Sequence, residues 1–229
     1  ELENTSLLMS REKTRWLISE PINWFANNIA VERITGLAAI DYQSRLPSDE
    51  ANLSTLGLTP PKAIVTLNNK TIAFGGSNQI GNRRYLLSDN EVYLVNDLHY
   101  PLLGLGVEGF VDKRLLPPGL ELSRLRLAER ELSLEEGSWN SSQNTDSSEQ
   151  INSIISAWQR SEASAIKAYD SKLIPLSSIS ATTSRGDINF LLLSVEPEII
   201  IAHPDLGLQY HFPDHQYYEL LEPPTADAS

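Results

Sequence analysis

The chain has 229 residues, of which 41% are hydrophobic and 21% are charged, a composition typical of a folded protein rather than a disordered one. Its 30 acidic and 18 basic residues give a formal net charge of −12, which repels phosphate backbones, so nucleic acid is not an expected partner. Because the chain has no cysteine, disulfides, thiolate metal sites and a cysteine nucleophile are all excluded.

The first half predicts a hairpin, a helix and a meander of strands. Apolar residues on both sides of the charged turn at residues 11–13 predict a hairpin that ends near Trp16. Asn27 or Asn28 can then cap a helix, which Gly36 weakens. Alternating apolar stretches predict four strands and a short helical tail, at residues 64–67, 71–74, 84–87, 91–95 and 97–103.

The second half repeats this order of elements. Residues 122–127 and 132–139 predict another hairpin near a tryptophan, and residues 139–148 predict a mobile loop. Asp146 and Glu149 have the spacing of a capping box, and the residues after them place one apolar stripe on a helix. A second meander and tail follow, at residues 179–182, 188–193, 199–202, 208–212 and 214–221.

These observations predict an α+β fold made of two similar repeat units, each a mostly antiparallel sheet packed against one main helix. The boundary is expected near the sequence Pro-Pro-Gly at residues 117–119, whose residues interrupt helices and strands. We therefore predict a first unit at residues 1–117, a second and diverged unit at 118–222, and a flexible tail at 223–229.

Three motifs in the first half carry a resemblance to a known family. They are Trp-Leu-Ile-x-x-Pro at residues 16–21, Leu-Gly-Leu-Thr-Pro-Pro at 56–61, and Arg-Tyr-Leu at 84–86 followed by Glu-Val-Tyr-Leu-Val at 91–95. With these motifs the chain resembles DUF4340, a bacterial family of unknown function, over roughly residues 5–116. The second half lacks a Gly-Leu-Thr-Pro-Pro counterpart.

The resemblance implies a location and an anchor but no reaction. Such proteins typically carry one spanning helix at the amino terminus, with the remainder outside the cytoplasm, and some are similar to auxiliary components of ABC-type transport systems. We therefore expect a periplasmic or otherwise extracytoplasmic domain, tethered by a segment upstream of residue 1. Glu1 rather than Met opens the chain, which is consistent with a longer or processed gene product.

The candidate metal ligands are His203, His211 and His215, with nearby Asp205 and Asp214 as possible oxygen ligands. The last two histidines have the four-residue spacing of a helical metal site, but the proline at 213 argues against a helix there. The alternative is that these histidines occupy turns and strand ends.

Other chemistry has weaker support in the sequence. The sequence has no Gly-x-Ser-x-Gly elbow of a serine nucleophile. The glycines at 75, 76 and 81 do not form a phosphate-binding loop, because no helix and no Lys-Ser pair follow them. We interpret them as hairpin-loop residues. No cofactor is therefore expected. Trp24 and Phe25 precede the first helix and are the candidates for an exposed aromatic patch that binds a ligand or a partner.

The leading hypothesis is a non-enzymatic, membrane-tethered interaction domain with a protein partner in the cell envelope. It predicts an exposed apolar patch without a deep pocket. The alternative is a polysaccharide- or peptide-binding module that uses the groove between the units. A hydrolase is a third possibility, and it predicts a pocket with clustered titratable groups of shifted pKa.

Overall fold

The computed structural model describes residues 6–39, 44–78 and 81–222, and the predicted tail at 223–229 lies outside the described residues. The chain has mixed helices and antiparallel sheets, so the α+β class is confirmed. It divides into two compact units. The first contains residues 6–7 and Ala26–Phe110, and the second contains Leu8–Phe25 with residues 111–222.

This division differs from the predicted boundary at residue 117. The predicted hairpin lies in the second unit as a three-stranded antiparallel sheet, with β1 at Leu8–Glu12, β2 at Arg15–Glu20 and β3 at Trp24–Phe25. The backbone N–H of Asp112 donates to the carbonyl of Phe25 at 3.0 Å, which ties β3 to the chain that opens the rest of the second unit. Local hydrophobic pattern cannot encode such a long-range bond.

The first unit contains helices and a five-stranded antiparallel sheet. The sheet order is β4-β8-β7-β6-β5, and the sheet begins and ends at edge strands. The elements are α1 at Asn28–Thr35, β4 at Arg45–Pro47, β5 at Ala63–Leu67, β6 at Lys70–Asn78, β7 at Arg83–Ser88, β8 at Glu91–Asn96 and α2 at Tyr100–Leu103.

The sequence signals in the first unit have physical counterparts. The side chain of Asn27 accepts the backbone N–H of Ala30 and caps α1, as predicted. The buried face of the helix and the inward residues of the meander form the core of this unit: Val31, Ile34, Leu37, Ile72, Phe74, Leu86, Val92 and Val95.

The second unit carries an eight-stranded antiparallel sheet of order β11-β10-β9-β13-β14-β15-β16-β12. Its elements are β9 at Leu122–Arg126, β10 at Glu131–Glu135, β11 at Ser138–Ser141, α3 at Ser148–Arg160, β12 at Ala165–Ala168, β13 at Ser177–Thr183, β14 at Gly186–Ser194, β15 at Glu198–His203, β16 at Leu208–Pro213 and α4 at Tyr217–Leu220.

Two predictions in the second unit need correction. Part of the segment predicted as a mobile loop is strand β11, which pairs with β10. The capping box of α3 is formed by Ser147 and Gln150, one residue later than predicted. The predicted cap, Asp146, instead accepts from Arg130 and Ser141, so its carboxylate is not available to the helix.

The core of the second unit is built on α3. Ile151, Ile154, Ile155 and Trp158 are buried, as the apolar stripe predicted. The indole N–H of Trp158 donates to the carbonyl of Leu220 at 2.7 Å, which fixes α4 on α3. Within the described residues, no helix is long and apolar enough to span a membrane.

Candidate functional site

The second unit contains a shallow cleft of about 640 Å³ beside the turn of the β1–β2 hairpin. Its walls come from that turn, from β2 and β3, and from the turn between β13 and β14. The lining residues are Glu12, Lys13, Thr14, Arg15, Leu17, Phe25 and Arg185. Two hairpin tips that are far apart in the sequence therefore meet at one recess.

Phe25 lies at this cleft, but it does not form the exposed patch that the sequence predicted. Its side chain is only 3% exposed, and its ring lies edge-on to the ring of Trp24. The Arg185 guanidinium lies over the Phe25 ring, 4.7 Å from the centroid. Trp24 is half-buried, with its indole N–H inside the unit. A role for either residue in binding stays a prediction.

Trp24 belongs instead to a buried polar group with His203 and Tyr210. The imidazole of His203 packs edge-on against both Trp24 and Phe190, with 5.0 Å between ring centroids in each case. Neither ring nitrogen of His203 has a hydrogen-bond partner among the described residues. Burial lowers the pKa of His203 to about 4, and the nearby Asp205 carboxylate only partly opposes this. The imidazole is therefore neutral at pH 7.

Tyr210 is fully buried in the same region. Burial raises the pKa of its hydroxyl, and the Asp112 carboxylate raises it further, whereas the Trp24 indole lowers it. The Trp24 N–H and the Tyr210 hydroxyl have no hydrogen-bond partner of normal geometry in the described part of the chain. These buried groups do not line the cleft, so they are not placed to act on a ligand there.

His211 is held by hydrogen bonds on both sides of its ring. Its Nδ1 lies 2.7 Å from a carboxylate oxygen of Glu198, and its Nε2 lies 2.9 Å from the amide nitrogen of Gln209. Since an amide N–H can only donate, Nε2 accepts from Gln209 and Nδ1–H donates to Glu198. Both ring nitrogens are therefore occupied, and the His211 imidazole has no free ligand position.

The three candidate metal ligands are thus not brought together. His203 is enclosed by aromatic rings, His211 is saturated by its neighbours, and His215 is exposed after β16. Residues 6–39, 44–78 and 81–222 contain no group of three His, Cys, Asp or Glu side chains that could hold a metal ion. The described residues therefore give no support to a metal site at these histidines, and His203 at the end of β15 and His215 after β16 fit the alternative of strand ends and turns.

The sequence motifs of the first unit meet at a structural centre. Gly57 has a φ of +67°, which glycine adopts without strain, and the carbonyl of Leu56 accepts the backbone N–H of Gly76 at 2.8 Å. Gly75 and Gly76 lie within β6 at an irregularity of its pairing with β7, so their interpretation as hairpin-loop residues is wrong. A Cβ on Gly75 would approach the Leu56 carbonyl oxygen to 2.6 Å.

Arg84 of the Arg-Tyr-Leu motif fixes the same centre. Its guanidinium donates to the carbonyl of Gly75 at 2.6 Å and to both carboxylate oxygens of Asp97, at 2.9 and 2.7 Å. It also lies 3.6 Å from the centroid of the Tyr100 ring. This side chain is buried and fully engaged, so the motif stabilises the fold rather than forming an open site.

A comparison with protein families places the chain. A family model described as a domain of unknown function, DUF4340, matches residues 16–182. The chain belongs to the DUF4340 family. The matched region runs from β2 to β13 and includes all three motifs of the first half. No curated protein and no solved structure matches the chain.

Proposed function

We propose that this DUF4340 chain is a non-enzymatic interaction domain that works outside the cytoplasm and contacts a protein partner in the cell envelope. A segment upstream of residue 1 tethers it to the membrane, and an ABC-type transport system is the class of partner that the family resemblance suggests. The observation that carries the interaction is an exposed apolar segment in the second unit, between β12 and β13.

This apolar segment, residues 173–176, has the sequence Leu-Ile-Pro-Leu. Ile174 is 86% exposed, and Leu173 and Leu176 are 41% and 61% exposed. Fully burying such a side chain contributes about 1.5–3 kcal/mol of favourable free energy. A partner that covers these three side chains therefore gains binding free energy from their burial.

The backbone around the apolar segment is fixed rather than loose. The N–H of Leu176 donates to the carbonyl of Leu192 at 2.7 Å, and the N–H of Leu173 donates to the carbonyl of Asp170 at 3.1 Å. The N–H of Asp170 itself donates to Gln209 at 3.1 Å. A segment held in this way loses little conformational entropy when it binds, which favours recognition.

The enzyme alternative has less support. The cleft is shallow, and its lining contains no histidine and a single carboxylate, that of Glu12. In the described part of the chain the most perturbed groups, His203 and Tyr210, lie inside the core. Active sites usually place such groups at a solvent-accessible cleft.

Site-specific photo-crosslinking in intact cells tests the interaction. A photoreactive residue at Ile174 of the full-length gene product is expected to capture one envelope protein on irradiation. Leu173→Ser together with Leu176→Ser is expected to abolish the adduct. The matched control is the same photoreactive residue at Ile64, which is 62% exposed on the first unit. Capture of only cytosolic proteins, or equal capture from position 64, would contradict the proposal.

The location is tested separately with a single cysteine. Because the 229 residues contain none, Ser153→Cys on the exposed face of α3 introduces a unique thiol into them. A maleimide that cannot cross the cytoplasmic membrane is expected to label this thiol in intact cells. Labelling only after lysis would place the domain in the cytoplasm and remove the envelope partner.

We also propose that the two halves are repeats of one ancestral unit. The proposal is supported by their matching element order: three strands, a helix, one strand, a four-stranded meander and a short terminal helix. In both halves the single strand pairs with the last strand of the meander, β4 with β8 and β12 with β16. Superposing residues 28–96 on residues 148–213 in an experimental structure tests the repeat. Helices α1 and α3 packed on opposite faces of their sheets would contradict it.

A further inference from the structure

The cleft of the second unit is cationic, although the chain as a whole is anionic. Lys13, Arg15 and Arg185 line it, and Glu12 is the one acidic residue of the lining. This concentration of positive charge occurs in a chain with a formal net charge of −12. The charge is therefore local to the recess, which makes it a candidate anion site rather than part of a general basic surface.

Two of the three cationic groups are oriented by contacts that do not neutralise them. The Arg185 guanidinium stacks over the face of Phe25, and the Arg15 guanidinium donates to the backbone carbonyl of Pro118. Among the described residues, no carboxylate lies within ion-pair distance of Lys13, Arg15 or Arg185. The two guanidinium groups are thus held in place, and all three positive charges are left for an external anion.

We propose that this basic cleft binds a carboxylate of a short acidic peptide segment whose neighbouring residue is apolar. A guanidinium presents paired N–H donors that match a carboxylate, and a second cation of the lining can share the charge. The half-buried Leu17 supplies apolar surface beside the cations, which suits the side chain next to the carboxylate. An acidic side chain or a chain terminus both present the required group.

A peptide fits this cleft better than an anionic membrane or an acidic polysaccharide. A flat bilayer cannot enter the recess without bringing its anionic headgroups close to a chain whose net charge is −12. A uniformly charged polymer meets the same repulsion along its length. A short segment with one or two carboxylates enters the recess and avoids most of that cost.

The test is a titration of the isotopically labelled 229-residue chain, followed by NMR. The probe is the pentapeptide acetyl-Ala-Leu-Glu-Leu-Ala amide, and its Gln analogue lacks only the charge. We expect the acidic peptide to shift the signals of Lys13, Arg15 and Arg185, and the Gln analogue to bind at least about fivefold more weakly. Equal binding of both peptides, or shifts confined to other surfaces, would overturn the proposal.

Variants separate the cleft from general charge. Arg185→Gln removes the charge and is expected to weaken peptide binding about fivefold. Arg185→Lys is expected to weaken it less, because lysine keeps the charge and loses only the planar guanidinium. Lys167→Gln makes the same charge change on exposed β12, outside the cleft, and is expected to alter the affinity less than about twofold. Equal effects of the two Gln variants, with unchanged spectra elsewhere, would refute a specific site.

The same titration with phosphatidylglycerol vesicles and with polygalacturonate distinguishes the other anions. Tighter binding of either one at the cleft would overturn the peptide assignment, and weaker binding supports it. The inference does not depend on the apolar segment at residues 173–176, so its failure leaves the proposed envelope interaction untouched.

Discussion

The imidazole of His203 packs edge-on against the indole of Trp24, with 5.0 Å between the two ring centroids. This contact ties β3 of the small sheet to the end of β15 in the large sheet of the second unit. It also explains why the Trp-Phe pair is not an exposed patch, since Trp24 packs into the unit while Phe25 faces the cleft. The histidine in this contact is a buried group that loses its hydration without gaining a hydrogen bond.

The second unit is expected to lose stability as the pH falls from about 6.5 to about 4. The folded-state pKa of His203 is lowered to about 4 from its ordinary 6.5. Between these values the unfolded chain binds a proton that the folded chain does not, so the free energy of unfolding rises with pH across this window. A shift of this size corresponds to at most about 3 kcal/mol.

Urea unfolding followed by tryptophan fluorescence measures this effect. All four tryptophans lie in the second unit, at positions 16, 24, 139 and 158, so the signal reports on that unit alone. His203→Phe is expected to flatten the pH dependence of the free energy of unfolding between pH 4 and 6.5. Other titrating groups contribute equally to the wild type and the variant, so their effect cancels when the two are compared. An unchanged slope in the variant would show that His203 is not the group responsible.

A methyl group at Gly75 is expected to destabilise the first unit. The added Cβ would lie 2.6 Å from the Leu56 carbonyl oxygen and 2.8 Å from the Leu58 side chain, and backbone cannot move aside cheaply. Overpacking of this kind costs about 1–3 kcal/mol. Hydrogen exchange of β6 and β7, measured by mass spectrometry, is expected to accelerate in Gly75→Ala.

The matched control for this prediction is Gly36→Ala, at the end of α1. Its Cβ would meet nothing within 4 Å, and its φ of −59° suits any residue. This variant is expected to be neutral or slightly stabilising, because alanine restricts the unfolded chain. Equal destabilisation of both variants would mean that loss of glycine flexibility, rather than contact with Leu56, is the cause.

Local pattern predicted the secondary structure of this chain well. The apolar stripe of α3 and the alternating residues of both meanders each have a physical period that the sequence displays directly. The membership of the first hairpin could not be predicted in this way. Residues 8–25 join the second unit through individual long-range contacts, such as Phe25 with Asp112 and Arg15 with Pro118. Isolated contacts of this kind produce no periodic pattern in the sequence.

The basic cleft was missed for a related reason. Arg185 belongs to a hairpin turn, where a charged residue is ordinary, and Lys13 and Arg15 belong to another turn far away in sequence. Only tertiary structure brings the two turns together. Spacing alone is also a weak guide at the histidines. His211 and His215 have a metal-like spacing, but hydrogen bonds occupy the buried His211 ring, whereas His215 is exposed.

Trp158→Phe is expected to destabilise the second unit and release α4. The substitution leaves the Leu220 carbonyl without the indole N–H that it accepts at 2.7 Å, inside a core where both residues are 0% exposed. The unmet hydrogen bond and the smaller ring together cost about 2–4 kcal/mol. Faster hydrogen exchange at residues 217–220 than in wild type is the expected signature, and unchanged protection there would contradict it.

The buried ion pair between Arg84 and Asp97 is expected to be strongly coupled. Removing one partner leaves the other charge buried, so Asp97→Asn and Arg84→Met should each destabilise the first unit by about 3–5 kcal/mol. The double variant should cost clearly less than the sum of the two, because no unpaired charge remains. Chemical unfolding followed by far-UV circular dichroism measures these free energies. The control is the more exposed pair Lys70 and Asp89, whose coupling energy is expected to be below about 1 kcal/mol. Additive costs at Arg84 and Asp97 would mean that the two side chains stabilise the unit independently, with the guanidinium acting mainly through the Gly75 carbonyl and the Tyr100 ring.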